Sequence, residues 1–139
     1  PALDDLGLVS ALRSHAARYS LHGVEFCLEA PGTLPPLSAA VEVAAYRIAC
    51  EATNNVMRHA QAKHCWIVLR VAGALTLSIT DDGRGLRSPL EAGVGILSMR
   101  ERCAELGGIL RLEPAGTEPG PGVRVSVILP LENSIEQQP

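Results

Sequence analysis

The sequence predicts an α+β fold: a two-layer sandwich in which helices cover one face of a mixed or antiparallel sheet. Three observations carry this. Helical and strand periodicities follow one another in the order α-β-α-β-β-α-β-β. Two apolar runs, Trp66 to Val71 and Leu75 to Thr80, are separated only by Ala72-Gly73-Ala74 and so form an antiparallel hairpin. The longest stretch free of Gly and Pro, Leu37 to Ala72, opens with a helical pattern. Consecutive hairpins exclude a doubly wound parallel sheet, whose strands need crossover helices between them.

The elements follow in order. Leu3 to Tyr19 reads as a first helix, with Leu6, Leu8, Leu12 and Ala16 or Ala17 on its apolar side and Asp4 and Asp5 near its start. Gly23 breaks it, and Val24 to Glu29 alternates as a short strand. After the Pro31 to Pro36 loop, Ser38 is placed to cap the central helix. Ala45, Ala49, Ala52, Val56 and Ala60 give that helix its buried face. Past the hairpin, Ile96 to Leu106 is a second strong helix, with Ile96, Met99, Cys103 and Leu106 inward and Gly107-Gly108 ending it. Ile109 to Leu112 and Val123 to Leu129 are strands, joined by a Pro/Gly-rich turn from Glu113 to Gly122. The expected division is 1–20 as the end of a linker and a helix packed on the domain, 21–131 as the domain itself, and 132–139 as a polar, frayed tail.

A chain of 139 residues that is 47% hydrophobic but only 3% aromatic can bury one aliphatic core. A net charge of −3 with no basic stripe argues against a nucleic-acid binder, yet leaves room for one small anion. Cys27, Cys50, Cys65 and Cys103 form no C-x-x-C pair, which points to reduced, buried thiols in a cytoplasmic setting. His59, His64 and Cys65 match no structural zinc spacing. No apolar run approaches the roughly 20 residues of a membrane span, so this piece is expected neither to enter nor to cross a membrane. The opening Pro-Ala-Leu, without Met, reads as a piece of something longer.

Chemistry concentrates in three places. Glu51, Asn55 and His59 are spaced i, i+4, i+8 and stack along one stripe of the central helix, flanked by Arg47, Asn54 and Arg58. Two adjacent Asn in mid-helix cost propensity, a local inconsistency typical of functional positions. The stripe is either a solvated polar face or a carboxylate–carboxamide pair able to hold hydrated magnesium. Asp81-Asp82-Gly83-Arg84-Gly85 places a carboxylate at a strand end, where Asp81 is either part of an ordinary turn or an acceptor for an exocyclic amine such as adenine's. Gly83 and Gly85 let backbone approach a ligand. Gly93-Val94-Gly95 precedes the Ile96 helix, as helix punctuation or as an anion site at a helix N-terminus.

Together these motifs resemble one family. E-x-x-x-N-x-x-x-H-A (Glu51, Asn55, His59, Ala60) is similar to the N box of sensor histidine kinases, and D-x-G-x-G (Asp81, Gly83, Gly85) to their G1 box. The run from Gly93 to Arg102, with Met99-Arg100-Glu101-Arg102, is similar to the G2 box of the nitrate/nitrite and DesK type, whose partners are LuxR-like response regulators. The opening Pro1 to Leu12 also resembles that subfamily's segment entering the catalytic domain, so the resemblance spans about residues 1–131. It implies the GHKL ATP-binding fold and transfer of the ATP γ-phosphoryl group to a histidine. On that resemblance Asn55 ligates Mg2+, Glu51 is the catalytic residue that polarises the attacking group or a metal-bound water, and Arg58 and His59 lie near the phosphates. Asp81 reads adenine, while Gly83, Gly85, Gly93, Val94, Gly95 and Ile96 shape the pocket and lid. The implied partner is a dimerisation and phosphotransfer domain on a homodimeric parent, this piece being monomeric and cytoplasmic.

Three departures stand out. None of His15, His22, His59 or His64 has the acidic neighbour of a phosphoacceptor, so that histidine is expected outside this chain. The lid between Gly85 and Gly93 is short. Val123 follows Gly122 where the family often has Gly-Thr, removing a hydroxyl from the adenine end. Two alternatives to the kinase reading are a GHKL nucleotide-binding module without transfer activity, and a GHKL ATPase or anti-sigma serine kinase.

Overall fold

The computed structural model describes residues 2–20, 22–86, 93–118 and 120–131, with the side chains of residues 2–6, 59 and 60 left aside. Its helices are α1 (Ala2–Ser20), α2 (Ala39–Asn55) and α3 (Gly93–Glu105). Its strands are β1 (Glu25–Glu29), β2 (His64–Val71), β3 (Ala74–Asp81), β4 (Ile109–Pro114) and β5 (Val123–Pro130). The element order is the one the periodicities predict.

The strands form one five-stranded sheet in the order β1-β2-β3-β5-β4. β1 runs parallel to β2, because α2 carries the chain back between them, and all other pairs are antiparallel. Strand alternation then separates the two faces. Phe26, Cys65, Ile67, Leu69, Leu75, Leu77, Ile79, Val125, Val127 and Leu129 are buried. The intervening Trp66, Arg70, Thr76 and Ile128 are exposed, so one face of the sheet lies open.

The helices cover the buried face. α2 supplies Val41, Ala44, Ala45, Ile48, Ala49, Ala52 and Val56. Its run of alanines lets backbone approach the sheet closely, which fits a core with few aromatic rings. Ser38 caps it, the side-chain oxygen accepting from the Val41 N–H at 3.2 Å. α1 packs through Leu8, Ala11, Leu12 and Ala16, and α3 through Ile96 and Cys103.

Four readings change in detail. α1 is not continuous: Gly7 (φ 82°, ψ 175°) kinks it, the cost of glycine's freedom inside a helical run. α2 gives way at Val56 to one π turn, Val56–Ala60, which ends on Gln61 at φ 54°. Gly93 and Gly95 lie within α3 rather than before it. Of the cysteines, Cys65 and Cys103 are buried and Cys50 is half-buried, but Cys27 is exposed because it falls on the open face of edge strand β1. The lid residues Arg87, Ser88 and Pro89 and the tail 132–139 fall outside the described residues. Among the described residues, no helix is long and apolar enough to cross a membrane.

Leu77, 1% exposed in the strand paired on both edges, tests this core. Leu77→Ala should lower unfolding free energy by about 2–5 kcal/mol. Thr76→Ala, on the open face, should stay within about 0.5 kcal/mol. Urea melts with an unchanged slope measure both.

Candidate functional site

The three motif segments meet at one end of the sheet, and the chain path explains why. The π turn after α2 is followed by Gln61-Ala62-Lys63, and β2 starts at once with His64. The end of β3 lies beside that start: Cys65 pairs with Asp81, and the Asp82 N–H donates to the His64 carbonyl at 3.3 Å. Asn55 and Asp81 therefore lie toward the same end of the layer, though far apart in the chain.

Asp82 closes this corner. Its Oδ1 accepts from the N–H groups of Lys63 and His64, both at 2.9 Å, and its Oδ2 lies 2.8 Å from His64 Nδ1. Burial acts to raise its pKa, but those hydrogen bonds, with the His64 charge, outweigh it and hold the carboxyl below its usual range. His64 also stacks on Trp66 at 5.6 Å and approaches Glu25 at 3.5 Å.

Asp81 is buried at 3% exposure and its Oδ1 accepts from the Gly83 N–H at 2.8 Å. Burial raises its pKa; hydrogen bonds from the Gly83 and Val123 N–H groups work against that, and the neighbouring Asp82 charge adds to it. The β4–β5 turn folds back over this segment. The Gly122 N–H donates to the Gly83 carbonyl at 3.0 Å, and a Cβ on Gly122 would lie 1.9 Å from the Asp81 carbonyl oxygen. A Cβ on Gly120 would lie 2.1 Å from the Gly83 carbonyl oxygen. Gly85, at φ 82°, turns the chain under Pro121. Thr117 brings a hydroxyl here, bonded to the Gly120 carbonyl at 2.7 Å and 3.3 Å from that of Asp81.

Glu51 joins the first and third motifs. A Cβ on Gly95 would lie 2.2 Å from Glu51 Oε2, so the carboxylate rests against bare backbone in the first turn of α3. The positive end of a helix dipole suits that charge. Asn55 is partly exposed one turn on, and its Oδ1 accepts from the exposed Arg58 at 3.3 Å. Of the remaining residues, Val94 is 79% exposed and Ile96 is buried in the core, where it anchors the helix. Gly93 starts α3 at φ 88°. His64 and Cys65 point to opposite faces of β2, so they cannot share a metal.

Sequence reasoning missed the Asp82–His64 tie, the clasp of Gly120 and Gly122, and two polar contacts behind α2: His15 with Thr53 and Tyr19 with Asn54. The position of His15 was readable, since it continues the Leu8–Leu12 face of α1.

A two-layer sandwich that brings a helix-borne carboxylate and carboxamide to the sheet end where a glycine-clasped aspartate lies has the layout of a nucleotide-binding module. Residues 40–133 match the family described as histidine kinase-, DNA gyrase B-, and HSP90-like ATPase, and the chain belongs to it. Sensor histidine kinase MctS of Rhizobium johnstonii is 35% identical over 124 residues, 83% of this chain and 27% of that protein. The histidine-protein kinase/phosphatase UhpB of Salmonella typhimurium is 35% identical over 132 residues, 92% of this chain and 25% of that protein. The chain thus spans about a quarter of the length of these curated relatives. The histidine kinase domain of the Erythrobacter litoralis EL346 blue-light activated kinase has the same fold, with a TM-score of 0.70 at 21% identity over 91% of this chain and 62% of that one. Within its family this chain is a domain of the histidine-kinase type.

Asp82 gives a test with a definite sign. Because its folded pKa is depressed, its stabilisation is full above the ordinary carboxylate value and is lost as pH falls through the folded value. Asp82→Ala should cost about 1–3 kcal/mol at pH 7, with the gap to wild type shrinking below about pH 4. Urea unfolding across that range measures it.

Proposed function

We propose that this chain binds ATP with magnesium and donates the γ-phosphoryl group to a histidine on a separate dimerisation and phosphotransfer domain, in two-component signalling. The observation that carries this is the contact of Glu51 with Gly95, which joins the carboxylate–carboxamide helix to the N-terminus of α3 at the sheet end where Asp81 lies. Family membership and the histidine kinases among its relatives support it.

Asp81 accepts the adenine amine, a role that its buried carboxylate fits and that guanine's carbonyl would oppose. The donor set at the other end fits magnesium. Asn55 offers a carbonyl oxygen and Glu51 a carboxylate one turn away, both hard oxygens, leaving the remaining positions to water and phosphate. When bound, the ion draws off phosphate charge. Asn55 would hold it, and Arg58, already on the Asn55 carbonyl, would add a cation beside the phosphates. Glu51 would orient the attacking group or a water on the ion, with Gly95 leaving it room. The backbones of Gly83, Gly85, Gly93, Val94 and Ile96 shape the walls; the side chain of His59, expected near the phosphates, falls outside the described residues. The protein's work is alignment and charge neutralisation. The downstream partner is a response regulator of the LuxR-like type, the parent is a homodimer, and this domain works in the cytoplasm.

With a fluorescent ATP analogue, Asp81→Ala and Asn55→Ala should each weaken binding roughly tenfold or more, with unchanged far-ultraviolet circular dichroism. Asp81→Ala should also erase the preference for adenine over guanine. Undiminished binding in both variants overturns the reading. Binding without phosphorylation of any supplied two-helix histidine domain would favour the module that has lost transfer.

A further inference from the structure

We infer that His15 and Tyr19 of α1 are positioning residues for the magnesium end of the nucleotide site, acting through Thr53 and Asn54. The inference rests on the nucleotide reading above. Its basis is a pair of contacts that α1 makes to consecutive residues of α2, immediately before Asn55.

His15, 4% exposed, brings Nε2 to 2.6 Å from the Thr53 hydroxyl. That hydroxyl lies 2.8 Å from the Ala49 carbonyl oxygen and 3.1 Å from that of Cys50, and donates its single proton to the backbone. It therefore accepts from His15, which fixes the ring as the Nε2–H tautomer. Nδ1 is left facing the Cys50 sulfur at 4.0 Å. Burial, and then the Arg18 cation, lower the pKa of His15, which agrees with a neutral ring. Tyr19 packs edge-on to that ring at 4.5 Å, and its hydroxyl donates to Asn54 Oδ1.

The geometry makes these contacts directional. At about 100° per residue, Thr53 lies about 200° around the helix from Asn55 and Asn54 about 100°. One bond holds α2 from behind and the other from the side, so together they fix its rotation. Apolar packing would fix distance and leave rotation looser. The hold sits where the helix changes register: the Val56 N–H is still shared between the Ala52 and Thr53 carbonyls, four and three residues back, while the turn that follows, Val56–Ala60, is π. Asn55 is the last residue of the α segment, and its direction follows from the two residues before it.

The test uses the full chain, a fluorescent ATP analogue with magnesium or with chelator, and the thermal midpoint. Tyr19→Phe removes one oxygen and keeps the ring, so it carries the test even if His15→Leu fails to fold. Each variant should lose about fivefold in affinity with magnesium and keep wild-type affinity in chelator, where the adenine end acts alone. His15→Gln, whose amide can donate to Thr53, should restore the magnesium-dependent part. Equal losses with and without magnesium, tracking a lowered midpoint, would mean a merely structural role and overturn the inference. So would wild-type affinity throughout. If wild type binds no nucleotide, the reading of the site falls and takes the positioning role with it.

Discussion

A buried carboxylate, Asp82, ties the start of β2 to the end of β3 through two backbone N–H groups and an imidazole. The other relations at this end of the molecule depend on that tie. Only Gln61, Ala62 and Lys63 separate the π turn from β2, so fixing His64 also fixes where α2 must stop. With Asn55 closing the α segment, its path to the β3 end is set by the π turn, three further residues and one carboxylate. Buried N–H groups without such a partner would each carry a desolvation penalty, which is why a charged acceptor is stable here.

The second constraint is steric. Gly95, Gly120 and Gly122 are not at loop tips where glycine serves flexibility; each marks a place where another chain segment occupies the space of a Cβ. Gly122 also needs its φ of 67°. Two of these approaches join the β4–β5 turn to the Asp81 segment, and the third seats Glu51 on α3. The hydroxyl that Val123 does not supply has a counterpart in Thr117, six residues earlier. Its bonds go to backbone carbonyls, so it braces the clasp rather than reaching the Asp81 carboxylate.

The fold was largely legible because its signals are local. Period-two runs mark β2, β3 and β5, Ser38 marks the start of α2, and the Ala72–Ala74 link leaves the hairpin little alternative. The parallel placement of β1 beside β2, and of β5 between β3 and β4, depends on crossovers that periodicity does not encode. At the site, the spacing of Glu51 and Asn55 and the position of Asp81 could be read. That Glu51 meets Gly95 could not, since the contact joins positions forty-four residues apart. The π turn was hidden for another reason: Val56 to Ala60 has ordinary helical composition, so no residue in it marks the change of register.

Asp81 and Asp82 show how adjacent identical residues acquire different chemistry. Consecutive residues at the end of an extended strand point to opposite faces. Asp82 turns toward His64 and takes three donors, so its lone pairs are committed and its pKa falls. Asp81 turns into the protein, where burial outweighs the N–H groups of Gly83 and Val123 and its pKa rises. A carboxylate in that state is under-solvated when ionised, and a further donor stabilises the charged form that burial disfavours. An amine-bearing base donating to Asp81, as proposed above, would therefore offset a cost already present in the fold. Asp82 has no such deficit to relieve, so of the two adjacent carboxylates Asp81 is the one chemically suited to read a ligand.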